Sequence, residues 1–230
     1  MGILIMARYI LISFIFCLPI LANATDSGSQ VAWTADTLNL VKSGNAKKGE
    51  EIAGTCIVCH GQRGEGTNSE IRDDETIPAI PALAGQLATY TYKQLRDYAN
   101  GDRDNATMSA IAKGLSEQDT VDVAAWYASL SRPKHPVSNV DVSGAMKLVK
   151  DGDGKRIIPP CFVCHGANGE GEKLDIPRLA RQRSEYLEST LKAYKNDERH
   201  NDIYSRMRLI SKQLTDDEIK IMSIYYQELD

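Results

Sequence analysis

Two short segments of this chain follow one pattern, Cys56-Ile57-Val58-Cys59-His60 and Cys161-Phe162-Val163-Cys164-His165. A Cys-x-x-Cys pair followed at once by histidine is the covalent attachment signal for c-type haem, and the spacing follows from the chemistry. Each thiol adds across one vinyl group of the porphyrin, and the adjoining imidazole is carried under the ring to reach the iron. Two covalent haem groups constrain the fold more than any local propensity, because the chain must wrap around each plate. Both motifs run on through glycine into similar acidic stretches, Gly64-Glu65-Gly66 and Gly169-Glu170-Gly171.

Other uses of such cysteines explain less. Two pairs closing one Cys₄ zinc site would leave His60 and His165 without a purpose. A thioredoxin-like dithiol needs a strand-to-helix setting that neither copy has, and a simple disulfide within each pair ignores the histidines.

The repeat extends well past the motifs. Pro81-Ala82-Leu83-Ala84-Gly85-Gln86 matches Pro177-Arg178-Leu179-Ala180-Arg181-Gln182, and Tyr90, Leu95, Tyr98, Asn100, Arg103 and Asn105 match Tyr186, Leu191, Tyr194, Asn196, Arg199 and Asn201 at a constant offset of 96. Three extra residues follow in the second copy. The offset becomes 99, aligning Met108, Ile111, Lys113, Leu115 and Tyr127 with Met207, Ile210, Lys212, Leu214 and Tyr226. The expected organisation is an export segment at 1–24, a first domain at 25–130, a linker at 131–142 and a second domain at 143–230.

Both domains read as all-α, with no convincing alternating strand. Three helices are expected in each: about 47–57, 90–100 and from the Ser116 cap onward in the first, and 143–150, 184–196 and from the Thr215 cap in the second. The aromatic pairs Trp126-Tyr127 and Tyr225-Tyr226 are read as core. The linker, with Pro133 and Pro136, is expected to be exposed. About 100 residues per copy is little protein for an independent core, so each haem is expected to be part of it.

Residues 1–24 hold one charge, Arg8, an apolar run from Tyr9 to Leu21 and the small-residue site Ala22-Asn23-Ala24. That is the composition of an export signal, with Thr25 as the expected mature start and retention as a membrane anchor as the alternative. Cys17 follows Phe16, a poor context for lipidation. Export fits the cysteine usage, since c-type haem is attached outside the cytoplasm and the other four cysteines all belong to the haem motifs. The formal charge of −4 falls to −5 without Arg8, which argues against nucleic acid as a partner.

Distal ligands follow from the repeat. A thioether stabilises ferrous iron, and Met108 and Met207 occupy matching places just before the last helix, where loops are expected. Met1 and Met6 belong to the export segment, Met146 is expected to be buried packing, and Met222 is expected in the core. His135 falls in the linker, and His200 is the alternative ligand for the second iron. A proximal imidazole generally donates its other N–H to a carbonyl, for which Pro81 and Pro177 are the candidates. Arg103 and Arg199 are candidates for the haem propionates, with ordinary surface charge as the competing expectation.

These residues resemble the bacterial diheme cytochromes c of the cytochrome c4 type, which carry two class I cytochrome c domains in tandem. The likeness rests on both CxxCHG motifs, the Pro-x-Leu-Ala-Gly-Gln segment, the Tyr-x₄-Leu helix, the Gly101-Asp102-Arg103 turn and both methionines. It also includes the approach to the second motif, from Gly144-Ala145-Met146 to Ile157-Ile158-Pro159-Pro160-Cys161. It implies periplasmic electron carriers, often at the membrane surface, with His–Met ligation of both irons and haems edge to edge across a pseudo-twofold interface. The implied partners are a donor of the quinol-cytochrome c reductase type and a terminal oxidase or other reductase as acceptor.

Two departures bear on partners. The first copy has an acidic insertion, Thr67 to Ile80, and the second has a basic cluster of Arg178, Arg181 and Arg183. Residues 25–135 hold eleven Lys/Arg against fifteen Asp/Glu, and residues 136–230 hold fifteen against sixteen. That asymmetry is expected to steer a cationic partner to the first domain. Two other functions compete with a free carrier: the cytochrome subunit of a periplasmic dehydrogenase, such as a flavin-linked sulfide dehydrogenase, and a diheme peroxidase or thiosulfate-oxidising enzyme. The enzyme reading needs an open or displaceable ligand position, which two matching methionines argue against.

Overall fold

A computed structural model describes residues 28–172 and 174–230. The export segment, with Cys17, Met1, Met6 and the Thr25 start, lies outside the described residues. The first domain runs α1 (Ala35–Lys42), α2 (Ala46–Ile52), α3 (Ile57–His60), α4 (Ala88–Asn100), α5 (Ala106–Lys113) and α6 (Glu117–Ser129). The second runs α7 (Ser143–Asp151), α8 (Phe162–His165), α9 (Ser184–Lys195), α10 (Arg206–Ser211) and α11 (Asp216–Glu228).

The three expected helices per domain are present, with corrections. The leading helix of the first domain stops at Ile52 and passes through a 3₁₀ turn, Ala53–Thr55, before the haem motif makes a helical turn of its own. Met108 and Met207 stand on short helices, α5 and α10, rather than in loops. In the first case the reason is local: Asn105 caps α5, its side chain accepting from Met108 N at 2.9 Å.

The last helix of each domain starts with a capping box. Asp119 N donates to Ser116 Oγ at 3.1 Å while Ser116 N donates to the Asp119 carboxylate at 3.1 Å. Thr215 and Glu218 repeat this at 3.2 and 2.8 Å. Each box satisfies free amides at the positive end of a helix that carries core residues.

Each domain has its own buried cluster. Ala53, Leu95, Tyr98, Ala112, Val123 and Tyr127 form the first, and Ala145, Leu148, Ile158, Leu214, Ile219 and Met222 the second. Met222 and the inner tyrosine of each aromatic pair are buried as expected. Met146 is not: it is 42% exposed, because the buried face of α7 is formed by Ala145, Leu148 and Val149. In the first domain α2 lies so close to α6 that a Cβ on Gly49 would sit 2.0 Å from the Asp122 carbonyl oxygen.

The acidic insertion departs from the all-α expectation. Thr67 and Ile80 exchange backbone hydrogen bonds of 3.0 Å at its base, and a small antiparallel hairpin of β1 (Glu70–Arg72) and β2 (Glu75–Ile77) projects beyond. Asp73 and Asp74 turn it with φ of 51° and 64°, the pattern of a two-residue hairpin that aspartate tolerates.

The domains meet through contacts made twice. Gln86 brackets the backbone of Arg178, accepting from its N–H at 2.9 Å and donating to its carbonyl at 3.0 Å. Gln182 does the same to Ala82, at 2.8 and 2.9 Å. Both pairs are related by the repeat offset, so the interface has pseudo-twofold symmetry.

Arg178 and Arg183 of the basic cluster are absorbed here, while Arg181 pairs within its own domain. Arg183 reaches into the first domain, donating to Glu65 O at 3.0 Å, Gly66 O at 2.8 Å and Asn68 Oδ1 at 3.2 Å. Arg178 donates to Gly85 O and Arg181 pairs with Asp230. The linker is mostly exposed, although His135 Nε2 lies 3.0 Å from the Arg181 carbonyl. Among the described residues no helix is long and apolar enough to cross a membrane.

Candidate functional site

Each haem motif is a short helical turn, α3 or α8, ended by a glycine with φ of 86° (Gly61) or 82° (Gly166). A Cβ there would meet the Glu65 or Glu170 carboxylate at 2.4 Å, which explains why glycine follows the motif. The turn sends the chain away while the cysteines and histidine stay together. None of Cys56, Cys59, Cys161 and Cys164 forms a disulfide. Burial raises the Cys56 and Cys161 thiols, the latter to about 11.

His60 and His165 are both buried at 7% exposure. Nδ1 of His60 lies 3.0 Å from the Pro81 carbonyl, and Nδ1 of His165 lies 3.0 Å from the Pro177 carbonyl. These are the two prolines expected from the repeat. A carbonyl can only accept, so Nδ1 carries the proton and Nε2 presents its lone pair, the form a metal ligand needs. Burial lowers the pKa of both imidazoles, which keeps them neutral, against an opposing effect of the proline carbonyls.

The inner tyrosines sit against the first cysteine of each motif. The Tyr127 hydroxyl neighbours Cys56 and the Tyr226 hydroxyl neighbours Cys161, and each phenol is pushed up by burial and by the thiol. Both tyrosines are buried members of core clusters, as their sequence pattern predicts. Met108 is half-buried and packs against the first core cluster, as do Cys56 and Leu83. Met207 is half-buried on α10. His200 is half-buried next to Arg199.

Arg103 and Arg199 are interface residues, which overturns the surface-charge expectation. Arg103 donates to Tyr186 Oη at 3.0 Å and Gln94 Oε1 at 2.8 Å. Arg199 donates to Tyr90 Oη at 3.1 Å, Gln94 Oε1 at 2.9 Å and Asn201 Oδ1 at 2.9 Å. Each guanidinium also lies over a tyrosine of its own domain, Tyr98 at 4.7 Å and Tyr194 at 4.6 Å. Arg199 Nη1 is buried without a hydrogen-bond partner. Alongside runs a buried pair, Lys93 Nζ to Asp97 Oδ2 at 2.6 Å, with Asn201 bonded to both residues. Lys93, Gln94 and Asp97 carried no sign of this in the repeat, because Ser189, Thr190 and Ala193 stand at the matching places.

The donor set fits covalent haem in both domains: paired cysteines on one turn and a buried neutral imidazole with Nε2 open. Comparison with known proteins agrees. A family model described as cytochrome c matches residues 46–131 and again 152–230. Cytochrome c4 of Thiocapsa roseopersicina is 34% identical over 189 residues, 81% of this chain and 93% of that protein. A protein of Thiomonas intermedia described as a thiosulfate dehydrogenase electron acceptor is 32% identical, over 71% of this chain and 73% of its own length. The crystal structure of reduced cytochrome c4 from Pseudomonas stutzeri superposes with a TM-score of 0.73 at 29% identity, covering 82% of this chain and all of that one. The chain is therefore an electron-transfer protein with two covalently bound haem c groups, and it belongs to the cytochrome c family as a diheme cytochrome of the c4 type.

Proposed function

We propose that this protein is a periplasmic carrier of single electrons in a respiratory chain, with both irons six-coordinate. Cys56 and Cys59 hold the first haem through thioethers and Cys161 and Cys164 hold the second. His60 and Met108 are the axial ligands of the first iron, and His165 and Met207 those of the second. When bound, haem supplies a one-electron couple between ferric and ferrous iron.

The observation carrying this reading is the twice-made contact of a buried histidine with a proline carbonyl. In both domains it orients the ring and leaves Nε2 open, on the same scaffold that brings a methionine to matching places. Two equal ligand sets leave no open coordination position, so the residues serve transfer rather than substrate chemistry. The orphaned Nη1 of Arg199 is the natural partner for a propionate, while Arg103 serves the interface first. Absorption spectra of both oxidation states, with a potentiometric titration, test this. Two low-spin centres with a methionine charge-transfer band at the red end are expected. A high-spin component, or a band indifferent to replacing both Met108 and Met207, overturns it. Peroxide turnover by the reduced protein would mark an enzyme.

Export rests on residues 1–24, and the N-terminal mass of the protein recovered from a periplasmic fraction tests it. A start at Thr25 is expected. A retained segment in the membrane fraction would mean an anchored carrier. A second reading, electron acceptor of a periplasmic dehydrogenase, is favoured by the Thiomonas intermedia relative. Co-purification of a catalytic subunit would support it over exchange with a quinol-cytochrome c reductase and a terminal oxidase.

A further inference from the structure

The two methionines stand on differently built supports. In the first domain, Asn105 caps α5 through the Met108 amide and Met108 packs on a buried cluster. The three extra residues of the second copy fall at this place, and the backbone there goes left-handed at two consecutive non-glycine residues, Tyr204 (φ 59°) and Ser205 (φ 55°). Such a turn is disfavoured unless its surroundings impose it. Met207, two residues on, joins neither of the buried clusters of its domain among the described residues.

Charged side chains hold this turn. Arg208 Nε donates to Asp202 Oδ1 at 2.8 Å. Arg206 Nε donates to Ile203 O at 3.0 Å, and Arg206 Nη2 donates to Asp175 Oδ2 at 2.5 Å. The Asp175 side chain is 14% exposed and that of Arg206 40%, so the carboxylate is shielded from water while the guanidinium still meets it. Its place in the chain gives it a role. Asp175 lies two residues before Pro177, whose carbonyl orients His165, and Arg206 immediately precedes Met207. The first domain has Ala79 and Thr107 at the matching places and makes no such pair.

We propose that Arg206 and Asp175 are positioning residues of the second centre, an ionic staple joining the helix that presents Met207 to the loop that orients His165. The proposal rests on the reading of His165 and Met207 as axial ligands. It means that the distal sulfur of the second haem depends on a side-chain ion pair, whereas that of the first depends on helix capping and packing. One chain thereby sets its two centres separately.

The haem-loaded protein tests this with two opposite charge deletions, Arg206→Gln and Asp175→Asn. A staple predicts the same result for both: part of the methionine charge-transfer band is lost, up to half, one of the two potentials falls, and the other stays. Charge alone predicts opposite shifts, a fall for Arg206→Gln and a rise for Asp175→Asn, with the band intact. That outcome overturns the proposal, as does an unchanged band and potential in both variants. Arg206→Lys, which keeps the pair with Asp175, is expected to retain the band and covers the case in which Arg206→Gln does not fold; loss of the band in Arg206→Lys as well as retention in Asp175→Asn would overturn the staple. Met207→Ala is the control. A full band in that variant sinks the ligand reading itself, whereas half a band leaves it standing whatever the staple variants show.

Discussion

Arg103 of the first domain donates to the Tyr186 hydroxyl of the second at 3.0 Å. The same contact is returned between Arg199 and Tyr90 at 3.1 Å. Repeated residues at a constant offset thus pair crosswise, and duplication of one domain supplied both halves of the interface. Gln94 breaks the symmetry. It stands on one side only and accepts from Arg103, Arg199 and Asn201 at 2.8, 2.9 and 3.0 Å.

Gln94→Ala removes the shared acceptor and leaves buried donors without partners. Hydrogen bonds to charged groups contribute about 1.5–3 kcal/mol each and partial rearrangement recovers some, so a net loss of about 2–4 kcal/mol is expected. Chemical denaturation followed by haem absorption checks it. An unchanged midpoint would mean that the network adds nothing to domain association.

Acid sensitivity of the second domain is expected to involve Glu218. Its carboxylate accepts from Arg156 at 2.7 and 2.9 Å and from Thr215 N at 2.8 Å. The hydrogen bonds from Arg156, ahead of an opposing effect of burial, hold its pKa below the ordinary 4.5. A depressed folded-state pKa means that this stability is complete above about pH 4.5 and is lost as pH falls through the lower folded value. Glu218→Gln should therefore be less stable than wild type at pH 7, with a narrower gap at pH 3. A gap of equal size at both pH values would count against the ion pair.

The hairpin is predicted to matter for encounter rather than for the haem sites. Its two strands are closed off at their base by Thr67 and Ile80, and Glu70, Asp73, Asp74 and Glu75 are all exposed. Replacing residues 68–79 by a short glycine link should leave both haem spectra intact. Electron transfer to a cationic oxidant should slow and lose part of its salt dependence. Stopped-flow rates at low and high ionic strength decide it, and identical salt slopes would remove the idea.

Haem-free protein is expected to lack a cooperative native-like melt. Each main buried cluster contains only six residues, and a ligand that binds only the folded chain stabilises it by mass action. A sharp calorimetric transition of the cysteine-to-serine protein, which cannot attach haem, would contradict this.

Much of the site was legible because it is written locally. Cys56, Cys59 and His60 occupy one helical turn, so five residues suffice to announce the chemistry, and the repeat then paired Pro81 with Pro177 and Met108 with Met207. The support for each methionine was not legible. Asn105 and Asn201 look equivalent, yet one caps a helix and the other enters a buried network. The interface role of Arg178 and Arg183 was not legible because a linear pattern of charge does not say which side meets another domain. Met146 looked buried because hydrophobicity alone does not say which face of α7 turns inward.

Attachment chemistry, the number of haem groups and the duplication of the domain were determined by the sequence alone, since each depends on residues close together in the chain or on a repeating order. The partners of Arg103, Arg199 and Gln94, the left-handed turn before Met207 and the ion pair of Arg206 with Asp175 were decided only by the tertiary structure. The interface contacts join residues up to 109 positions apart and exist only once both domains have packed, while the turn and the ion pair exist only once the second domain has folded.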